Sequence, residues 1–158
     1  FTDVSGRYVI VFNGEIYNYL ELKEELLADG VSFTTNSDTE VLLNLFIKHK
    51  EKCLEKLNGF FAFAVYDKQE KSLFVARDRM VVKPLLYFFD GEQFIFGSEL
   101  KALLTFNITK EIDKVSLFNY LQFNYIPTHN SIIEGVKKLG PGHFISIENV
   151  DRIGDSIK

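Results

Sequence analysis

Residues 8–27 read YVIVFNGEIYNYLELKEELL, and the fold depends on how this stretch is divided. A β-rich apolar run at residues 9–12 stops at Asn13-Gly14. Asn-Gly is the strongest short signal for a hairpin turn, because both residues accept positive φ. The residues after it do not read as a second strand. Ile16, Leu20, Leu22, Leu26 and Leu27 recur among Glu and Lys at mostly helical spacing. The dipeptide therefore predicts a sharp turn between a strand and a helix over residues 16–27. Asp29-Gly30 ends that helix, with glycine just past its C-cap.

Working outward, residues 31–35 look extended. Ser37 and Glu40, three apart before an apolar run, form a capping-box pattern. Val41, Leu42, Leu45 and Phe46 give the helix that they open one apolar face. Lys48, His49 and Lys50 sit near its C-terminal end, where the helix dipole favours cations. After Asn58-Gly59 the pattern changes. Residues 60–67, FFAFAVYD, are almost continuously apolar and read as a strand buried on both faces. Residues 72–78 pair with it across a polar turn, and residues 85–98 form a hairpin about Asp90-Gly91. A short helix is predicted over residues 99–104. A longer one runs from a cap at Asp113 to Phe123, with Leu117, Tyr120 and Leu121 as its apolar face. Residues 125–132 are irregular, and residues 140–148 read as a turn and a closing strand. One domain over residues 1–150 is expected, with residues 151–158 a tail or the start of a linker. Helices mixed with heavily apolar antiparallel strands imply an α+β fold of stacked sheets covered by helices.

Composition narrows the function classes. The 158 residues fit one domain, and 46% hydrophobic content suffices for a core. Sixteen Phe and no Trp suit a packed space between sheets, since each buried aromatic removes roughly 150–250 Å² from water. A net charge of −4 argues against the basic stripe of a nucleic-acid binder and against a polybasic membrane patch. The longest apolar runs fall far short of the ~20 residues of a spanning helix. No signal peptide opens the sequence, and a cytoplasmic location is expected. Cys53 is the sole cysteine, so there is no internal disulfide, and nothing in its sequence surroundings activates a thiolate. His49, His129 and His143 are far apart and lack Cys partners, so no metal site is expected.

Seven segments in one order carry a resemblance: VFNGEIYNYLELKEEL at residues 11–26, SDTEVLL at 37–43, LNGFFAFAVYD at 57–67, ARDR at 76–79 with KPLLYF at 83–88, GSELKALL at 97–104, YLQFNYIP at 120–127 and KLGPGH at 138–143. Together they resemble the N-terminal glutaminase domain of glutamine-hydrolysing asparagine synthetases, over roughly residues 8–147. NGEIYN and SDTE are shared with related amidotransferases, whereas KPLLYF and SELKALL favour the asparagine synthetase branch. The resemblance implies an N-terminal nucleophile hydrolase-like four-layer αββα sandwich of antiparallel sheets. It also implies hydrolysis of glutamine to glutamate and ammonia, by attack of an N-terminal Cys thiolate on the side-chain amide. The ammonia serves ATP-dependent amidation of aspartate in a separate synthetase domain, where Mg-ATP is expected; no cofactor is expected in this chain. By the same resemblance Asn13 offers its side-chain amide and Gly14 its backbone N–H to the tetrahedral oxyanion, Asp38 binds the α-ammonium of glutamine, and Glu15 lines the pocket. On the residues alone, Asn13 reads rather as a helix cap and Asp38 as an acid in a first helical turn. Arg77, Asp78 and Arg79 are expected to form a structural ion network.

The sequence also departs from that family. Only twelve residues precede Asn13 and the first is Phe1, so neither the nucleophilic Cys nor the upstream Arg that holds the substrate carboxylate has a counterpart. MVVKP at residues 80–84 stands where the family usually has a glycine before the lysine-proline pair. The sandwich is therefore expected to be incomplete at its N-terminus, with an open sheet edge that favours homo-oligomers. This chain alone is expected to be inactive. The alternative is a non-catalytic amino-acid-sensing or scaffold module derived from the same domain.

Overall fold

In the computed structural model, which describes residues 1–80 and 82–157 (Ser156 by its backbone only), the first strand, β1 (Tyr8–Ile16), runs straight through Asn13-Gly14. The expected turn is not there. Asn13 lies opposite Ala62 and Gly14 opposite Phe61, in an antiparallel ladder with β2 (Gly59–Asp67). The glycine is needed for space. A Cβ on Gly14 would stand 2.2 Å from the Phe60 carbonyl oxygen, and a Cβ on Gly59 would stand 2.2 Å from the Glu15 carbonyl oxygen. Two glycines facing each other's strand let the backbones approach this closely.

The chain bends instead at Tyr17-Asn18. The Tyr17 N–H donates to the Asn58 carbonyl at 2.8 Å. The Asn18 side chain donates to the Lys56 carbonyl and accepts from the Asn58 N–H, both at 3.0 Å. Helix α1 (Tyr19–Ala28) therefore starts later than expected, but it ends as expected. Gly30 has φ +86°, its N–H bonds the Leu27 carbonyl, and the Val31 N–H bonds that of Leu26, the two bonds of a Schellman cap. Residues 31–35 form no strand. Helix α2 (Asp38–His49) is capped by Ser37, whose Oγ accepts from the Thr39 N–H at 3.1 Å. The reciprocal half of the capping box is absent, because Glu40 turns toward residues 34 and 35.

The short α3 (Cys53–Lys56) leads into β2. Beyond it lie β3 (Ser72–Arg77), β4 (Leu86–Phe89), β5 (Phe94–Gly97), α4 (Leu100–Leu103), α5 (Lys114–Phe123), β6 (Val136–Lys138), β7 (Phe144–Ile147) and α6 (Ile153–Ser156). One sheet has the order β1-β2-β3-β7 and the other β5-β4-β6, with every pairing antiparallel. Strand β6 was not expected. It has three residues, two of them Lys, and only its pairing with β4 makes it a strand.

Three apolar layers separate four layers of structure. Leu22 and Leu26 of α1 and Val41, Leu42 and Phe46 of α2 pack on Ile10, Phe61, Phe63 and Phe74 of the first sheet. Ala62, Ala64, Val75 and Ile145 face Leu85, Tyr87, Phe94 and Phe96 between the sheets. Phe88, Ile95 and Val136 on the outer face of the second sheet meet Leu103 and Ile108. Strand β2 thus feeds two cores, and its unbroken apolar run reflects that. Ile153 of α6 joins the inter-sheet layer, and Ile157 bridges to Ile147.

Two further expectations need correction. The predicted apolar face of α5 is not buried: Leu117, Tyr120 and Leu121 are all exposed, Leu121 at 72%, and Ser116 is the buried residue of that helix. Arg77 and Asp78 are buried but are held largely by backbone. Arg77 donates to the carbonyls of Lys83 and Leu139, both at 2.7 Å, while Asp78 accepts from the N–H groups of Phe61, Met80, Val82 and Lys83 at 2.8–3.3 Å. Val81, within the divergent MVVKP stretch, lies outside the described residues.

This packing makes two positions informative. Gly14→Ala forces a methyl against the β2 backbone and is expected to cost at least the ~1–3 kcal/mol of an overpacked core, read as a lower urea midpoint at unchanged slope. The second position is Asp67, gripped by the Arg7 guanidinium through Nε (2.8 Å) and Nη2 (2.6 Å) and by the N–H groups of Gln69 and Glu70. Arg7 above all holds this carboxyl below the usual carboxylate range. Its stabilising contribution is thus complete above the unfolded value of about 3.9 and is lost as pH falls through the lower folded value. Asp67→Asn should be less stable at neutral pH and should show a shallower loss of stability below about pH 4, measured by denaturation across pH.

Candidate active site

The four residues singled out in the sequence gather around one end of β1. This strand is the edge of its sheet, and its backbone groups alternate in direction. Tyr8, Ile10 and Ile16 aim their N–H groups away from β2: the Tyr8 N–H meets the Asp3 carboxylate at 2.7 Å, the Ile10 N–H meets the Phe1 carbonyl at 2.9 Å, and the Ile16 N–H meets Asp38 Oδ2 at 3.2 Å. Gly14 belongs to the same alternate set. Its N–H therefore points off the open edge, between the segment paired by residues 1–3 and the point where Asp38 closes on the strand.

Side chains alternate as well. Ile10, Phe12 and Ile16 face the helices, while Val11, Asn13 and Glu15 lie on the opposite, exposed face. There a cleft of about 380 Å³ opens between the sheets, lined by Val11, Asn13, Ala62, Ala64, Leu85 and Phe96. Asn13 stands at its polar mouth, where Nδ2 donates to Ser98 Oγ at 3.1 Å. Glu15 comes next on the same face and is exposed. Asn13 is not a helix cap: the residue before α1 is Asn18, and its side chain bonds the turn at residues 56–58.

Asp38 is the first residue of α2, and its half-buried carboxylate bridges that helix to the end of β1. The loop beneath it is fixed by Glu40, which is 1% exposed. Glu40 accepts four bonds of 2.6–2.9 Å, from the N–H and hydroxyl groups of Thr34 and Thr35. Burial alone would raise this carboxyl, yet those bonds from Thr35 and Thr34 carry it below its ordinary value. It stays charged and holds the N-terminus of α2 against the strand.

Two N–H donors and two carboxylates in this arrangement suit a polar ligand with an oxygen at one end and a cationic group at the other. Among the described residues no group of three or more His, Cys, Asp or Glu stands at metal-ligand spacing. The fold does bring His129 and His143 together at 5.9 Å between rings, which their sequence separation hid. Cys53 lies in the helix-side core, fully buried, and burial, with a smaller push from Glu51, drives its thiol up to about 12. Sequence reading missed Ser98 and Asn18. Ser98 lies within the GSELKALL motif, but no local pattern showed that it would face Asn13 across the cleft.

The glutamine amidotransferase domain family matches residues 1–155. The chain is 45% identical to asparagine synthetase [glutamine-hydrolyzing] 1 of Bacillus subtilis over 140 residues, covering 89% of this chain and 22% of that protein. It is 42% identical to a putative asparagine synthetase of Methanocaldococcus jannaschii, covering 83% of this chain and 25% of that protein. The chain thus spans about a quarter of the length of these relatives. Among solved structures, glutamine phosphoribosylpyrophosphate amidotransferase from B. subtilis superposes over the whole chain and 30% of its own length, with a TM-score of 0.62 at 21% identity. That likeness shows the fold alone and is consistent with the four-layer sandwich of antiparallel sheets and helices. The family match over nearly the whole chain shows that this chain belongs to the glutamine amidotransferase domain family.

Proposed function

We propose that this chain forms the glutamine-binding part of a glutaminase domain in an asparagine synthetase-like enzyme. In this reading the domain hydrolyses glutamine to glutamate and ammonia, and a synthetase domain of the parent protein uses the ammonia to amidate aspartate with Mg-ATP. The observation that carries the reading is the edge of β1. Gly14 N–H points off the strand, Asn13 holds a side-chain amide beside it, and Asp38 bonds Ile16 N–H two residues on.

Glutamine lies with its α-ammonium toward Asp38 and Glu15 and its side-chain carbonyl toward Asn13 and Gly14. A thiolate adds to the amide carbon, and the carbonyl π electrons move onto oxygen. Asn13 Nδ2–H and Gly14 N–H hold that negative charge, both on a strand already fixed in place, so no reorganisation is needed at the moment of reaction. The C–N bond then breaks, the leaving nitrogen takes a proton and departs as ammonia, and water hydrolyses the glutamyl thioester. The nucleophile is not Cys53, whose thiol is buried and neutral at pH 7. The family resemblance assigns that role to an N-terminal Cys of the parent protein. The same resemblance places Mg-ATP in the synthetase domain, and glutamine hydrolysis itself needs no nucleotide.

Kinetics on the full-length protein test the reading. Asn13→Ala is expected to lower kcat for glutamine hydrolysis by roughly 10²–10³ with little change in KM, as for loss of one oxyanion donor. Asp38→Asn is expected to raise KM for glutamine, and ammonia supplied directly should restore amidation in both variants. Wild-type glutamine hydrolysis by Asn13→Ala would refute the oxyanion role. The isolated 158-residue chain is expected to release no glutamate and to show no labelling of Cys53 by a thiol alkylator under native conditions.

A further inference from the structure

We infer that Ser98 is a positioning residue for Asn13: it fixes one N–H of the side-chain amide so that the other is aimed at the oxyanion. This rests on the proposed oxyanion role of Asn13. The amide of Asn has two N–H donors on one nitrogen and turns on a soft, roughly two-fold torsion. Asn13 is exposed at the mouth of the cleft, so the packing around it does not fix that torsion. The bond from Nδ2 to Ser98 Oγ at 3.1 Å does. One donor is used there, and the second is left free in a defined direction.

Ser98 can serve as an anchor because its own position is rigid. It comes directly after β5, and Gly97 is in register with Leu86 of β4. The chain then turns at Glu99, which is extended, into α4. Leu103 of α4 is completely buried and packs so close that a Cβ on Gly97 would stand 3.2 Å from Leu103 Cδ1. Ser98 therefore stands at a corner locked by strand pairing on one side and helix packing on the other. The bond crosses from the second sheet to the first, 85 residues apart in sequence, at the point where β1 presents Asn13 and Gly14. A hydroxyl suits the task, since it accepts from the amide without bringing charge beside a developing oxyanion. A carboxylate there would repel that charge.

The test uses the full-length protein. Ser98→Ala is expected to lower kcat for glutamine hydrolysis about tenfold at unchanged KM, a smaller loss than removal of a donor outright. Affinity for an aldehyde analogue of glutamine, whose thiol adduct mimics the tetrahedral intermediate, should fall by the same factor. Ser98→Thr, which keeps the hydroxyl, should restore both. In an Asn13→Ala background Ser98→Ala should add nothing further. If Ser98→Ala does not fold, Ser98→Cys, close in size with a weaker acceptor, should show the same loss in lesser degree. Unchanged kcat in the Ser98 variants while Asn13→Ala loses activity overturns this inference alone. Unchanged kcat in Asn13→Ala overturns the oxyanion reading and this inference with it. A loss in Ser98→Ala that is equally large in the Asn13→Ala background assigns Ser98 a purely structural role and also overturns it.

Discussion

The close approach of two backbones, β1 at Gly14 and β2 at Gly59, is the constraint on which the site depends. Each glycine faces a carbonyl of the opposite strand at a separation that excludes a Cβ. Together they hold the last residues of β1 in register with the start of β2. Register decides which groups face where. With Gly14 opposite Phe61, the Gly14 N–H points off the sheet edge and the Asn13 side chain points into the cleft. A slip of one residue would exchange the two faces, burying Asn13 against α1 and α2 and turning Phe12 to the cleft.

Buried acids arrange the loops around this strand. Asp78, completely buried, accepts from the N–H groups of Met80, Val82 and Lys83 and from Phe61, the partner of Gly14. Glu40 gathers Thr34 and Thr35 under the start of α2. In each case a carboxylate satisfies donors that no helix or sheet ladder reaches, which is how irregular segments can be buried without unpaired N–H groups. These residues keep Asp38 and the end of β1 in one place, and a site that stabilises charge without rearranging needs that rigidity.

Much of this was legible in the sequence, and the gaps have physical causes. The unbroken apolar run of β2 reported a strand with a core on either face, and the structure supplies both. The hairpin at Asp90-Gly91, the Gly30 cap and the Ser37 cap were readable because each rests on local chemistry. Asn13-Gly14 misled because glycine serves two purposes that look identical in sequence, positive φ and absence of a Cβ. Here the second applied, and the opposing carbonyl that decides it lies in another strand. Strand β6 was invisible because pairing, not propensity, makes it a strand. Helix α5 has an apolar composition that nothing in the described residues covers, so its pattern gave the helix without its burial. Asn13, Gly14, Glu15 and Asp38 were identified by motif, and the fold brings them together. Ser98 could not be paired with Asn13 without knowing how the two sheets stack.

The most direct measurement is a crystal structure of the full-length protein after reaction with a diazoketone analogue of glutamine, which leaves a ketone on the nucleophilic thiol. The expected result places the ketone oxygen about 2.7–3.1 Å from both Asn13 Nδ2 and Gly14 N, with the α-ammonium against Asp38. A ketone oxygen bonded to other donors, or an adduct seated away from the edge of β1, would contradict the assignment of this strand as the catalytic edge.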